Sequence, residues 1–258
     1  MRYELLGPLR VVDADGAVSA ISARKIEAVL AALLIRSDQI VGLDQLIGEI
    51  WGDRPPRRAT AGLHVYISQI RKFLHRPDRE GSPVVTHPPG YVLRVGSDEL
   101  DFHAFLRLMN QGRSHARDRR HPQAAECFEQ ALGLWRGPVL GGLLSGPIVD
   151  GFVTWMSDAR MECLEMLNDA QLELGRHREL VGRLYSLITE HPLREAFYRQ
   201  LMLALYRSEC QAEALKVFQV ARRTLNEELG LEPCRALQDL QRAILTADDQ
   251  LELYAAAV

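Results

Sequence analysis

RPPRRATAGLHVYISQIRKFLHR, residues 54–76, is the stretch whose reading decides the fold. After Pro56 it can run as a helix of about five turns. At roughly 100° per residue Leu63, Tyr66, Ile67, Ile70, Phe73 and Leu74 share one side. The other side carries Arg58, Ala61, His64, Val65, Ser68, Gln69 and Lys72, with Arg57 and Arg71 at its margins. The first set is a core-facing stripe. The second mixes cations, hydrogen-bonding groups and small apolar groups, as a polyanion with readable edges requires. A solvated cationic face on an ordinary surface helix shows the same pattern, so the neighbouring segments have to decide.

Upstream, Tyr3 to Val12 is broken by Gly7-Pro8 and followed by the turn Asp13-Ala14-Asp15-Gly16 and by Val18 to Ile21, which predicts a small antiparallel sheet. Helical periodicity then takes over. Ser22 is the expected cap of a helix in which Ile26, Val29, Leu30, Leu33 and Leu34 face a core, ending near Arg36-Ser37-Asp38. A second short helix carries Leu43, Leu46, Ile47, Ile50 and Trp51 between Gly42 and Gly52. The third starts near Arg57 or Arg58. After Gly81, Val84-Val85-Thr86 and Tyr91 to Val95 flank the rigid tip His87-Pro88-Pro89-Gly90, a hairpin. Sheet, three helices and a hairpin predict a winged helix-turn-helix, whose last helix enters the DNA major groove while the hairpin reaches the backbone or minor groove.

The series Gly7-Pro8-Leu9, Arg24-Lys25, Leu30 to Leu34, Leu46 to Gly52, Pro55-Pro56, Leu63 to Leu74 and Thr86 to Tyr91 closely resembles the OmpR-type DNA-binding domain of the Streptomyces antibiotic regulatory proteins. Two positions depart from that pattern. Gly42 stands where Ser or Thr is usual at a cap, and Val92 stands where the wing usually has Arg. With the resemblance, the side-chain chemistry assigns Arg57, Arg58, Arg71 and Lys72 to phosphates and His64, Ser68 and Gln69 to base edges. Val65 would meet a thymine methyl, and Arg94 would be a further backbone contact from the wing.

Charge is polarised along the 258 residues. Residues 54–94 hold eight basic residues against two acidic ones, and residues 1–95 are net +3, although the whole chain is −3. The four cysteines, Cys127, Cys163, Cys210 and Cys234, form no CxxC pair and are expected as buried free thiols of a cytoplasmic protein. The start has charges where a signal peptide needs an apolar run. The longest apolar run, Ala28 to Ile35, is too short to span a bilayer, so no membrane association is expected.

Beyond Gly96-Ser97-Asp98, a short linker or a boundary turn, everything from Asp101 reads as helix, dividing the chain into a DNA-binding domain at 1–96 and a helical domain at 97–258. Ala214, Phe218 and Ala221 have the A-x3-F-x2-A spacing of the tetratricopeptide repeat, and Leu180, Leu184 and Leu187 precede them by 34 residues, the period of that repeat. A third copy lies at Ala124, Phe128 and Ala131, with Gly112, Leu167 and Tyr198 among the first-helix positions. All are packing residues. The glycine-rich run Val139 to Pro147 lacks the Gly-Lys-Ser/Thr ending of a phosphate loop and reads as an irregular crossing. The segments Asp101-Phe102, Ala131 to Gly137, His191 to Glu195, Leu203 to Arg207, Gln211 to Leu215 and Glu227 to Pro233 resemble the bacterial transcriptional activation domain of the same family, which here has Glu209-Cys210 where a glycine-containing turn is usual.

The eight histidines form no metal-ligand spacing and no Ser lies in a GxSxG elbow, so the chain is expected to be neither an enzyme nor a holder of a metal or cofactor. The fold expected is mainly α, a winged helix followed by an all-α tetratricopeptide-like repeat domain. The family resemblance implies an activator of antibiotic or other secondary-metabolite genes that binds direct repeats in double-stranded promoter DNA as a homodimer and recruits RNA polymerase. The rival reading is a protein-interaction scaffold or ligand sensor whose winged helix contacts protein. The end at Val258 fits the small form of the family and equally a portion of a longer regulator.

Overall fold

The computed structural model describes residues 1–75, 81–143 and 146–246. Arg76, Asp78, Arg79 and Glu80 of the basic segment, Leu144 and Ser145 of the glycine-rich run and residues 247–258 lie outside the described residues. Two compact units emerge, one made of Met1–Leu108 with Ala131–Met161 and the other of Met109–Gln130 with Glu162 onward.

The first unit opens with β1 (Arg2–Glu4), β2 (Arg10–Val12) and β3 (Val18–Ser19), antiparallel neighbours as expected. Asp13 builds the turn, its Oδ1 accepting the N–H groups of Asp15 and Ala17. Of residues 96–98, expected as a short linker or a boundary turn, Gly96 and Ser97 form a turn. They lead into β7 (Glu99–Leu100), which lies parallel to β1 and completes the order β3-β2-β1-β7. A two-residue strand is too short to show a period, which is why the sequence pattern gives no sign of it.

Helices α1 (Arg24–Ile35), α2 (Leu43–Trp51) and α3 (Ala59–Phe73) follow. Ala23, not Ser22, is the N-cap of α1, and no side chain bonds to that end. Besides the predicted apolar stripe, Ala28, Ala31 and Ala32 are buried, so α1 is covered almost all round by α2, α3 and strand β6 (Gly90–Leu93). At α2 the glycine cap is supplemented from inside the helix, since the Gly42 N–H donates to Gln45 Oε1 at 2.9 Å. The hairpin of β5 (Val84–His87) and β6 is extended by an unpredicted strand, β4 (Val41–Gly42), in the order β4-β6-β5.

Buried charge secures the N-terminal sheet. Asp101, at the start of α4 (Asp101–Arg117), accepts the Leu5 N–H at 2.8 and 2.9 Å and the Leu6 N–H at 2.9 Å. Burial pushes its carboxyl up from the ordinary value, against the pull of those N–H groups and of Arg136. Burial also works against the charge of Glu4. The Arg10 hydrogen bond and the charges of Arg136, Arg10 and Arg2 outweigh it and hold that carboxyl below its usual range. The segment around Arg136 docks here through its backbone. The Arg136 N–H donates to Leu6 O at 2.8 Å and the Leu140 N–H to Leu5 O at 2.9 Å. A Cβ on Gly7 would stand 2.9 Å from the Arg136 Cβ, so the docking leaves room only for glycine there. Glu49, 2% exposed on α2, accepts the N–H groups of Ile148 (2.6 Å) and Val149 (3.3 Å) in the first turn of α6 (Pro147–Glu173). A carboxylate there satisfies orphan donors and the positive end of the helix dipole.

Among its described residues the second unit is built from helices and connecting turns, with no strand. It takes in parts of α4, α6 and α5 (His121–Gly133), with α7 (His177–Glu190), α8 (Glu195–Arg207), α9 (Gln211–Leu229) and α10 (Arg235–Thr246). Within it α7 packs on α8, α8 on α9, and α10 on both. The predicted repeat residues Leu180, Leu184, Leu187, Ala214, Phe218 and Ala221 are buried, as are Ala124, Phe128 and Ala131. A Cβ on Gly112 would fall 2.5 Å from the Phe128 ring, so the aromatic seats against bare backbone of the neighbouring helix. All four cysteines are free, but only Cys163 is buried, its thiol pushed up to about 12 by burial. Cys234 is exposed ahead of α10, which corrects the expectation that all four are buried.

Two predictions follow from this packing. A Cβ on Gly90 would lie 1.9 Å from the Val41 carbonyl oxygen, so Gly90→Ala is expected to lower stability by about 3 kcal/mol in chemical denaturation by forcing β4 from β6. Glu209, in the departure from the family turn, has φ 65°. Glu209→Gly is expected to raise stability by about 0.5–1 kcal/mol, the cost of a left-handed residue bearing a Cβ less the added chain entropy of glycine.

Candidate nucleic-acid interface

On α3 the two predicted faces separate cleanly. Leu63, Ile67, Ile70 and Leu74 are at most 1% exposed, and Tyr66 and Phe73 are half-buried. Arg57, Arg58, Ala61, His64, Val65, Ser68, Gln69 and Lys72 are all exposed. Ala61, Val65, Ser68 and Lys72 form a straight stripe at i, i+4, i+7 and i+11. Val65 is 53% exposed amid polar neighbours. From Arg54 to His75 there is no acidic residue. Arg58 is the N-cap of α3, with no side-chain bond to the helix end and no acidic residue in the first turn. Cations at this end oppose the helix dipole, a cost that an anion seated there removes.

The wing stands beside this face. Its tip is tied to α2 by the Leu43 N–H, which donates to Pro89 O at 3.2 Å, and its inner strand pairs Tyr91 with Val41. Arg94, just beyond β6, is exposed and donates its backbone N–H to Pro83 O at 2.9 Å, leaving its side chain outward. Val92 is 8% exposed, so the position that departs from the family pattern is a buried one.

Arg71 differs from the other cations. It is half-buried, its Nε donating to Val84 O at 3.0 Å and its Nη2 to Thr86 Oγ1 at 2.8 Å, and its guanidinium carbon lies 5.8 Å from the centre of the Tyr91 ring. The wing therefore holds a side chain that was expected to point at phosphate. Sequence reasoning also passed over Lys25, whose Nζ sits 5.3 Å over Trp51, which in turn stacks on Tyr66 at 6.0 Å. Both features join residues far apart in the chain, and neither has a spacing signature. Among the described residues no group of three or more His, Cys, Asp and Glu side chains is placed to hold a metal, and no helix is long and apolar enough to cross a membrane.

Comparison with known proteins agrees with this architecture. Residues 21–93 match the family model described as "Transcriptional regulatory protein, C terminal", and residues 100–245 match "Bacterial transcriptional activator domain". The chain is 34% identical to the regulatory protein DnrI of Streptomyces peucetius, over 98% of this chain and 94% of DnrI. It is 37% identical to the regulatory protein AfsR of Streptomyces coelicolor, of which it spans only 25%. A solved structure of Mycobacterium tuberculosis EmbR, in complex with a low-affinity phosphopeptide, superposes with a TM-score of 0.89 at 32% identity, covering 98% of this chain and 67% of that one. With both halves matched in order and DnrI matched along nearly its whole length, the chain belongs to the Streptomyces antibiotic regulatory protein family of transcriptional regulators.

Proposed function

We propose that this chain is a sequence-specific transcriptional activator that binds direct repeats in double-stranded promoter DNA through α3 and the wing. The observation that carries the reading is the acid-free outer face of α3, where His64, Val65, Ser68 and Gln69 are exposed between Arg57-Arg58 and Lys72. In the major groove Gln69 and Ser68 would read base edges, His64 would add a further polar contact and Val65 would meet a thymine methyl. Arg57, Arg58, Lys72 and Arg94 would neutralise phosphates and set the register. A protein-contact role for the winged helix is not favoured, because both halves of the chain match families of transcriptional regulators and the segment from Arg54 to His75 carries cations with no acidic residue, as a polyanion partner requires.

The functional division is placed at residue 96, with 97–258 as the activating part. Repeats about one helical turn, roughly 10–11 bp, apart would bring two protomers to one side of the duplex as a homodimer. The helical part would then engage RNA polymerase holoenzyme. Membership of a family that includes DnrI supports regulation of antibiotic or other secondary-metabolite genes, in the bacterial cytoplasm, and no catalytic step is assigned to the chain.

The test is a gel shift on a promoter fragment containing direct repeats, read across salt concentrations. Lys72→Ala is expected to weaken binding about equally on all repeat variants and to lower the slope of log affinity against log salt by about 1. Gln69→Ala is expected to leave the slope unchanged and relax base preference by about 1–3 kcal/mol at one position of the repeat. Binding that neither depends on salt nor responds to either substitution would remove the interface from α3.

A further inference from the structure

We infer that Arg71 is a positioning residue that fixes the wing to α3, rather than one of the cations that neutralise phosphate. The consequence for binding rests on the DNA-binding reading above; the mechanical role does not. The three contacts of its guanidinium converge on one small patch of the hairpin. Val84 and Thr86 lie two residues apart on β5 and so share a side of the strand, and Thr86 stands directly opposite Tyr91 on β6. Nε points to the Val84 carbonyl, Nη2 to the Thr86 hydroxyl, and the guanidinium carbon lies over the Tyr91 ring, 5.8 Å from its centre. Only a planar, many-donor cation can satisfy all three at once. Lysine has a single nitrogen and no flat face. The burial agrees, because Arg71 is half-buried while Arg57, Arg58 and Lys72 on the same helix and its leading loop are exposed.

Such a strut sets the separation between the outward residues of α3 and the backbone contact from Arg94. With that spacing fixed beforehand, both reach the duplex without an ordering cost at binding. Without the strut the wing would still fold through its pairing with β4, but its contacts would no longer be presented together with those of α3.

A double-substitution cycle on the full chain tests this, with hydrogen exchange of the free protein alongside. Arg71→Gln alone is expected to weaken binding to the repeat duplex about tenfold, the loss of hydrogen bonds from a charged donor. Arg94→Ala should then add little on the Arg71→Gln background, whereas Lys72→Ala should add its full effect. In the free protein Arg71→Gln should speed exchange of the β5 and β6 amides about tenfold while α1 stays protected, and Thr86→Val, which removes one bond, should do so to a smaller extent. Additive losses for Arg71→Gln with Arg94→Ala, or unchanged exchange in the hairpin, would overturn the assignment. If the parent chain binds no duplex at all, the DNA reading falls, and the exchange result alone decides the strut.

Discussion

Burial of Leu63, Ile67 and Ile70 against α1 and α2 sets the roll of α3 about its own axis. Each such side chain contributes about 1.5–3 kcal/mol when taken fully out of water. Advancing the register by one residue would turn the helix by roughly 100°, expose that stripe and carry His64 and Ser68 toward the core. The outer face is presented because the inner face has only one dry orientation. The unbroken apolar packing of α1, from Ala28 to Leu34, gives α3 a fixed surface to lie on.

Around that core, buried charge acts as local fastening. Asp101 takes up backbone donors of the loop after β1, Arg136 bridges toward Glu4 and Asp101, and Glu49 closes the first turn of α6. In each case a buried carboxyl group meets N–H donors or an opposite charge, which offset part of the cost of taking it out of water. The second unit uses amides in the same way. Asn168 and Gln200 are both fully buried, the Asn168 amide donating to Gln200 Oε1 at 3.0 Å and the Gln200 amide to the Glu165 carbonyl at 2.8 Å.

Periodicity made the three N-terminal helices, the hairpin and the outward residues of α3 legible, because a 3.6-residue stripe and a Pro-Pro-Gly tip are local signals. Packing positions such as Phe128 and Ala214 were legible through their repeat spacing. The short strands β4 and β7 were not, since two residues carry no period and are defined only by their partners. Arg71 shows the same limit at the interface. From composition it resembles Lys72, and only the folded hairpin, bringing Val84, Thr86 and Tyr91 to it, separates a strut from a phosphate contact. The turn at Glu209 lies between these cases, its departure visible in sequence and its left-handed backbone visible only in the fold.

The claim at the centre of this account is that the outer face of α3 lies in the major groove. A photo-crosslinking side chain placed at position 65 or 68 of the full chain, bound to a duplex with direct repeats, tests it most directly. Crosslinks from both positions to bases within each repeat are the predicted result. Retained duplex binding with crosslinks absent from 65 and 68 would contradict it.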